Sequence, residues 1–255
     1  MSAPHPFNIF WHSELPSTNI KLKELTREKD INEYTVICTH NQVAGKGQAG
    51  NFWESESHKN LTFSLLLKPS HIQIQDQFII SKAVALGILK VLEKFDKGFC
   101  IKWPNDIYHQ NHKIGGILIE NSICQNGISE SIIGIGLNIN QTKFISDAPN
   151  PISLKSITNQ NHNLKDILSQ ILESILYYMK EITMGNTQTI DTLYLQRLYK
   201  RNGEHLFKDA HGLFRASVLN INEYGHLQLK RSNGDISSYA FKEVEFILND
   251  SDNDN

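Results

Sequence analysis

Apolar and polar residues change their spacing several times along the chain, and each spacing predicts an element. Pro16-Ser17-Thr18-Asn19 sets a polar cap ahead of Ile20, Leu22 and Leu25, which predicts a short helix. Residues 34–40 are β-branched and apolar and read as a strand; a loop rich in Gly, Gln and Ser runs to about Asn60, and 61–68 reads as a second strand. From 75 to 95 apolar residues fall almost all round the helical wheel, which predicts a helix buried on most sides. Strands are expected over 99–103, 106–108 and 113–120, the last two joined by the polar turn His109-Gln110-Asn111-His112. One more strand, over 128–137, is interrupted by Gly134 and Gly136, and helices follow over 164–184 and 189–201.

After Arg201 the pattern shifts to short alternating runs at 213–221, 226–229, 236–240 and 244–248, punctuated by Gly212, Gly225 and Asn233-Gly234. Four short strands with tight turns predict a small β-barrel or meander. The expected organisation is therefore an α+β protein with a larger domain over 1–201 and a small β domain over 202–248. The Asn/Asp-rich stretch 249–255 has no reason to order.

Composition narrows the class. A net charge of −2 gives no general attraction to nucleic acid or anionic membrane, so anion binding must come from a few local cations. No apolar run approaches the ~20 residues that span a bilayer, and residues 1–10 lack the basic-then-apolar order of a secretory signal. The three cysteines are widely spaced with no CxxC pair, which suits free thiols in a reducing compartment; a cytoplasmic location is expected.

Four segments carry candidate chemistry. The loop from Asn41 to Gly50 contains a literal GxGxxG at Gly45, Gly47 and Gly50. A dinucleotide site needs a helix directly after these glycines. Here polar residues lead into a strand, so the segment reads instead as backbone that wraps an anionic ligand, with Lys46 adding a charge, or equally, taken alone, as an ordinary glycine-rich surface loop. Lys102-Trp103-Pro104-Asn105-Asp106 follows an apolar strand; Pro104 keeps Trp103 out of the helical region and projects an amide and a carboxylate from a strand end. A solvated turn is the plain alternative for this run taken alone. Lys113 heads a nearly uncharged strand, and Gly115-Gly116 beyond it permits close approach of a ligand; taken alone, a solvated lysine at the mouth of a hairpin is the commoner arrangement. Gly134-Ile135-Gly136-Leu137-Asn138 repeats glycines in a strand followed by an amide side chain.

In their order and spacing these segments resemble the biotin–protein ligase family. The resemblance rests on Ser17-Thr18-Asn19, the Gln42–Gly50 loop with Trp53, Lys102 to Asp106, Lys113 with Gly115-Gly116, and Gly136-Leu137-Asn138, and it spans about 11–140. It implies a mixed-sheet catalytic domain of the biotin/lipoate ligase type with an SH3-like C-terminal barrel. It further implies that biotin and ATP form biotinyl-5′-AMP and that biotin then passes to a lysine of a biotin carboxyl carrier domain.

The resemblance implies roles residue by residue. Lys113 and Lys46 are the catalytic cations. Ser17, Thr18, Asn19, Gln42, Lys46, Gly47, Gln48, Lys113, Gly115 and Gly116 bind biotin; Lys46, Asn105, Lys113 and Asn138 bind ATP; and Asp106 is a candidate ligand for Mg2+. No tightly held prosthetic group is implied, and the protein is expected as a monomer or weak homodimer without nucleic-acid or membrane partners. The chain departs from the family in its loop, where Lys46 and Gln48 stand at positions usually held by arginine. Lysine keeps the charge but lacks the planar two-pronged donor. A lipoate ligase would need an apolar tunnel rather than the Ser17-Thr18-Asn19 and Gln42 set. A biotin-responsive repressor would need a helix-turn-helix, for which the sixteen residues before Ser17 are too few.

Overall fold

A computed structural model describes residues 6–125, 127–146 and 150–247; the tail expected over 249–255, and Leu248 of the last expected strand, lie outside the described residues. Its larger sheet has seven strands: β1 (Asn8–Leu15), β2 (Thr35–Gln42), β3 (Leu61–Leu67), β4 (Phe99–Lys102), β5 (Asp106–His109), β6 (His112–Cys124) and β7 (Gly127–Leu137). They lie in the order β1-β2-β3-β7-β6-β5-β4. Only β1 and β2 pair in parallel; the other neighbours are antiparallel.

Strand alternation divides the sheet into two faces with different jobs. On β3, Phe63, Leu65 and Leu67 join the main core, whereas Leu66 belongs to a small cluster with Leu22, Ile37 and Ile132 beneath helix α1 (Thr18–Glu28). By the same period of two, Thr62 and Ser64 share the α1 face, as do Gly134 and Gly136 of β7. The face that bears α1 is thus apolar under the middle of the helix and polar at its start.

The opposite face carries α2 (Phe78–Leu92), α4 (Leu164–Thr183) and α5 (Thr187–Gln196). Helix α2 is buried on nearly every side, as its uniform apolarity predicts. Its Gly87 lets α4 approach closely: a Cβ there would sit 2.7 Å from Ile175 Cγ1. Helix α4 is amphipathic, burying Ile167, Leu168, Ile171, Leu172, Ile175, Met179 and Ile182, and Asn163 caps it by accepting from the backbone N–H groups of Lys165 and Asp166. A short helix, α3 (Leu154–Thr158), follows the described end of the 150s loop.

The C-terminal sheet has five strands: β8 (His205–Asp209), β9 (Gly212–Ile221), β10 (Leu227–Lys230), β11 (Ile236–Tyr239) and β12 (Glu245–Phe246), in the order β11-β10-β9-β8-β12. The first half of β9 pairs with β8 and the second with β10. The α+β class and the small antiparallel C-terminal sheet agree with expectation. The closed barrel does not appear: among the described residues β11 and β12 are the two ends of the order. β1, β8 and α3 are not anticipated by the spacing, because each buries few side chains; β1 is a largely exposed edge strand and β8 buries only Phe207.

The two sheets share one apolar core, since Phe207, Ala216, Val218, Leu227 and Leu229 are continuous with the side chains of α2 and α4. Polar ties reinforce the junction. Trp103 Nε1 donates to Gly225 O at 2.8 Å, Arg201 Nη1 to Val218 O at 2.7 Å and Lys200 Nζ to Ile247 O at 3.0 Å. Gly225 has φ +81°, and a Cβ there would lie 2.7 Å from the Phe78 ring, so this turn is wedged between α2 and Trp103. Trp103→Phe keeps the ring and strands the Gly225 carbonyl. It should lower unfolding stability by about 1–3 kcal/mol, read from the denaturant midpoint at unchanged slope.

Candidate functional site

The polar end of the α1 face opens into a cavity of about 550 Å³. Its lining crosses the strands: Thr62 comes from β3, Gly134 and Gly136 from β7, Gly116 and Leu118 from β6, Asp106 from β5 and Lys102 from β4. That is four inter-strand steps, or about 19 Å at ~4.8 Å each. The chemistry of the lining changes along this line.

The β3–β7 end is neutral and polar. Ser17 stands at the N-cap of α1 with extended backbone, yet its hydroxyl makes no cap hydrogen bond. The Gln42 side chain takes that role instead, with Oε1 accepting from Thr18 N at 3.0 Å, which leaves the Ser17 hydroxyl for the cavity. Asn19 is 5% exposed and fully engaged. Its Nδ2 donates to Glu120 Oε2 at 3.0 Å and its Oδ1 accepts from the buried Ser64 hydroxyl at 2.6 Å, which also lies 2.7 Å from Thr18 Oγ1. Burial raises the Glu120 pKa, but the donors Asn19 and Lys23 outweigh it and hold the carboxyl below its ordinary value. Gly134 lies directly under the Asn19 amide and Gly136 under the Trp53 indole; a Cβ at either would overlap those side chains.

The glycine loop covers the middle. Trp53 N donates to Gly45 O at 3.0 Å and Gly47 N to Asn51 O at 2.6 Å, while residues 48–50 form a single 3-10 turn. No helix follows, so the dinucleotide geometry is absent, in line with the sequence context. Gly45 must be glycine for the loop to close, since a Cβ would lie 2.6 Å from Trp53 O and 2.7 Å from Gln42 Nε2. Lys46 is exposed at the mouth. Gln48 Oε1 and Trp53 Nε1 are buried in the lining without a partner. Unsatisfied buried groups are costly, and their position in a cavity wall marks a surface built to meet a ligand.

The β6–β4 end is charged. Lys113 Nζ lies 2.6 Å from Asp106 Oδ1, both partly buried. Antiparallel pairing sets Asp106 opposite Lys102 on one side and Gly116 on the other. Asn105 is held by its own amide, with Nδ2 donating to Ile117 O at 2.7 Å. Phe241, Lys242 and Val244 from the turn before β12, with Glu245 and Phe246 of β12, close the far wall.

Of the residues expected in the site, Ser17, Thr18, Asn19, Gln42, Lys46, Gly47, Gln48, Asn105, Asp106, Lys113 and Gly116 line this cavity. Gly115 and Asn138 do not. Gly115 supports Leu137 from the neighbouring strand, where a Cβ would lie 2.9 Å from Gly136 O. Asn138 is buried and donates from Nδ2 to Ile152 O at 3.2 Å, tying the end of β7 to the segment before α3. Ser64, Glu120, Lys102 and the C-terminal wall were not assigned roles from sequence. Among the described residues no three His, Cys, Asp or Glu side chains converge. One oxygen of Asp106 faces Lys113, and Glu245 lines the same end. Such a sparse carboxylate set suits a magnesium ion that arrives on phosphate oxygens.

Residues 12–138 match the model of the biotin/lipoate A/B protein ligase family. The bifunctional ligase/repressor BirA of Bacillus subtilis is 26% identical over 233 residues, covering 89% of this chain and 70% of that protein. The human biotin–protein ligase is 26% identical over 217 residues, 79% of this chain and 29% of that one. In fold, the biotin protein ligase of Aquifex aeolicus, solved with biotin and ATP, matches 94% of this chain and 98% of its own with a TM-score of 0.78 at 24% identity.

The lowered Glu120 pKa makes stability depend on pH in a defined direction. Its contribution is present above the ordinary glutamate value of about 4.3 and is lost as pH falls through the lower folded value. Acid unfolding of Glu120→Gln should therefore lose less stability below pH ~4.3 than the parent. Parallel pH titrations of the two proteins, each followed by thermal melting, measure the difference; superimposable slopes would remove Glu120 from this role.

Proposed function

Starting from a chain that carries a domain of the biotin/lipoate A/B protein ligase family, we propose an ATP-dependent biotin–protein ligase that makes biotinyl-5′-AMP and passes biotin to a lysine of a carrier domain. The observation that carries this reading is the ordered change of chemistry along the cavity. A neutral ureido head needs uncharged donors and acceptors, and Ser17, Thr18, Asn19 and Gln42 supply them at the β3–β7 end. Lys113 follows, where the biotin carboxylate and the α-phosphate would meet, and the charged end takes the remaining phosphates. Glu120 and Lys23 beside Asn19 pair with each other at 3.1 Å and do not line the cavity, so that end presents uncharged groups to a substrate.

In the first step a carboxylate oxygen attacks the α-phosphorus of ATP, the new O–P bond forms, and the bond to diphosphate breaks with its electron pair on the leaving oxygen. Two anions approach each other, so cations aimed at the reacting oxygens lower the barrier. Lys113 supplies one, and Asp106 fixes its direction through the 2.6 Å pair. Lys46 supplies a second from the loop. The glycine loop then shields the mixed anhydride from water. The acceptor amine attacks the acyl carbon and AMP leaves; alignment of the amine accounts for this step without a dedicated base. Magnesium bound to the phosphates would be met by Asp106 and would offset phosphate charge.

Incubation with biotin, Mg-ATP and a biotin-acceptor domain should add the mass of one biotinyl group to the acceptor. Lipoate in place of biotin should give no adduct; a lipoyl adduct without a biotinyl one would overturn the assignment.

Two substitutions separate binding from chemistry. Gly134→Ala should leave a folded protein that has lost biotin binding, because the new methyl displaces the Asn19 amide; calorimetric titration with biotin and a melting curve report the two properties. Lys113→Ala should slow ATP–pyrophosphate exchange by roughly 10²–10³-fold, the usual cost of removing one group matched to developing charge. Exchange at the parental rate would exclude Lys113 from the phosphoryl-transfer step.

A further inference from the structure

The glycine loop that covers the cavity has two legs, and they are held in different ways. The first is tied by backbone: Val43 N donates to Leu15 O at 3.1 Å and Ala44 N to Pro16 O at 3.0 Å. The second leaves through Trp53, and side chains hold the residues just beyond it. They converge on Gln141, which follows β7, is 1% exposed and does not line the cavity.

An amide side chain has two donor hydrogens and two acceptor lone pairs, and Gln141 uses all of them. Its Nε2 donates to Glu54 Oε1 at 3.0 Å and to Lys143 O at 2.8 Å; its Oε1 accepts from Glu56 N at 2.9 Å and from Asn60 Nδ2. Asn60, also buried, accepts in turn from Ile139 N at 3.1 Å. Glu54 extends the tie, since its carboxylate takes the backbone N–H groups of Ile145 at 3.1 Å and Ser146 at 2.8 Å. Burial raises the Glu54 pKa, but the bonds from Ser146, Ile145 and Gln141 outweigh it and keep the carboxyl below its ordinary value. An ionised carboxylate at Glu54 and an amide at Gln141 are therefore matched as acceptor and donor.

This clamp matters because of what Trp53 lacks. Its indole lies on Gly136, yet Nε1 is buried without a partner, so no hydrogen bond of its own fixes the ring. Its backbone N–H goes to Gly45 O at 3.0 Å, which closes the loop on itself and not onto the sheet. The polar anchor nearest to Trp53 on the β7 side is the Gln141 network, and a buried network whose members are satisfied is rigid.

We propose that Gln141 is a positioning residue for the reaction: it holds Glu54 and Glu56, sets Trp53 over Gly136, and so determines how long the covering loop retains biotinyl-5′-AMP. The assignment rests on the ligase reading of the cavity. Gln141 touches no reacting atom. It acts through the loop, so its loss shows in escape of the intermediate more than in its formation.

Gln141→Glu keeps the shape, removes both donated bonds and sets a second carboxylate against Glu54. In this full-length variant biotinyl-5′-AMP should leave about tenfold faster or more, the scale of one hydrogen bond to a charged group, and its single-turnover formation should fall by less. Adding Glu54→Gln restores one amide and one carboxylate to the pair with their places exchanged, and should recover most of the retention. Structural damage elsewhere would not be repaired by that exchange. Hydrogen exchange of the empty protein gives a reading without substrate. Amides of residues 45–56 should exchange faster in Gln141→Glu and slow again in the double variant, with α2 and β6 unchanged. Equal release or equal exchange in parent and Gln141→Glu, or a double variant no better than the single one, would overturn the clamp. A parent that forms no biotinyl-adenylate would overturn the ligase reading, and hydrogen exchange would then decide the clamp alone.

Discussion

The bare backbone of β7 at Gly134 and Gly136 is the constraint from which the rest of the site follows. Those two positions lie on the α1 face by strand alternation, and they let an amide and an indole rest directly on the sheet. Asn19 reaches Ser64 and Glu120 only because nothing stands between it and β7. Trp53 can then cover the middle of the cavity, and its backbone N–H closes the glycine loop onto Gly45. A single methyl at either glycine would propagate through the head end or the loop, although the strand itself would be intact.

Polar groups around the cavity fall into two populations with different energetic roles. Ser64, Asn19, Glu120 and the Gln42 carbonyl satisfy one another, which fixes their positions before any ligand arrives. Gln48 Oε1 and Trp53 Nε1 remain without a partner. The first population sets geometry at little cost. The second raises the energy of the empty site, and ligand binding relieves that cost, which is how preorganised sites gain affinity.

Much of this was legible in the sequence where local spacing carries the information. The all-round apolarity of 75–95 predicts a buried helix, and α2 is one. The turn residues after Arg201 predict short antiparallel strands, and the C-terminal sheet supplies them. The motif residues converge on one cavity because most stand at strand ends or in loops on a common face. What could not be read is set by long-range contact. Ser64 looks like any polar residue in a strand until its hydroxyl is seen 2.6 Å from Asn19. Asn138 follows a glycine-rich strand as a ligand residue would, yet it stands outside the cavity lining, where its Nδ2 donates to Ile152 O and its buried Oδ1 has no partner. The wall formed by Phe241 to Phe246 comes from the far end of the chain, and no spacing rule joins it to Lys102. β1 escapes notice because an edge strand that buries little leaves no alternating pattern.

The shared core explains why a small C-terminal sheet can shape a site on the larger one. Were the junction polar and thin, the sheet would shift relative to Lys102 and the far wall would lose its form. Here Phe207, Val218 and Leu229 are buried in the same core as α2 and α4, and the turn at Gly225 is pinned between Phe78 and the Trp103 indole. Trp103 is the direct neighbour of Lys102 in the chain and lies in the same motif as Asp106. A rigid junction on one side of that motif and the Lys113 pair on the other therefore fix a five-residue segment from both ends. The chemistry of that segment is exposed to the cavity, and its position is set by packing outside it.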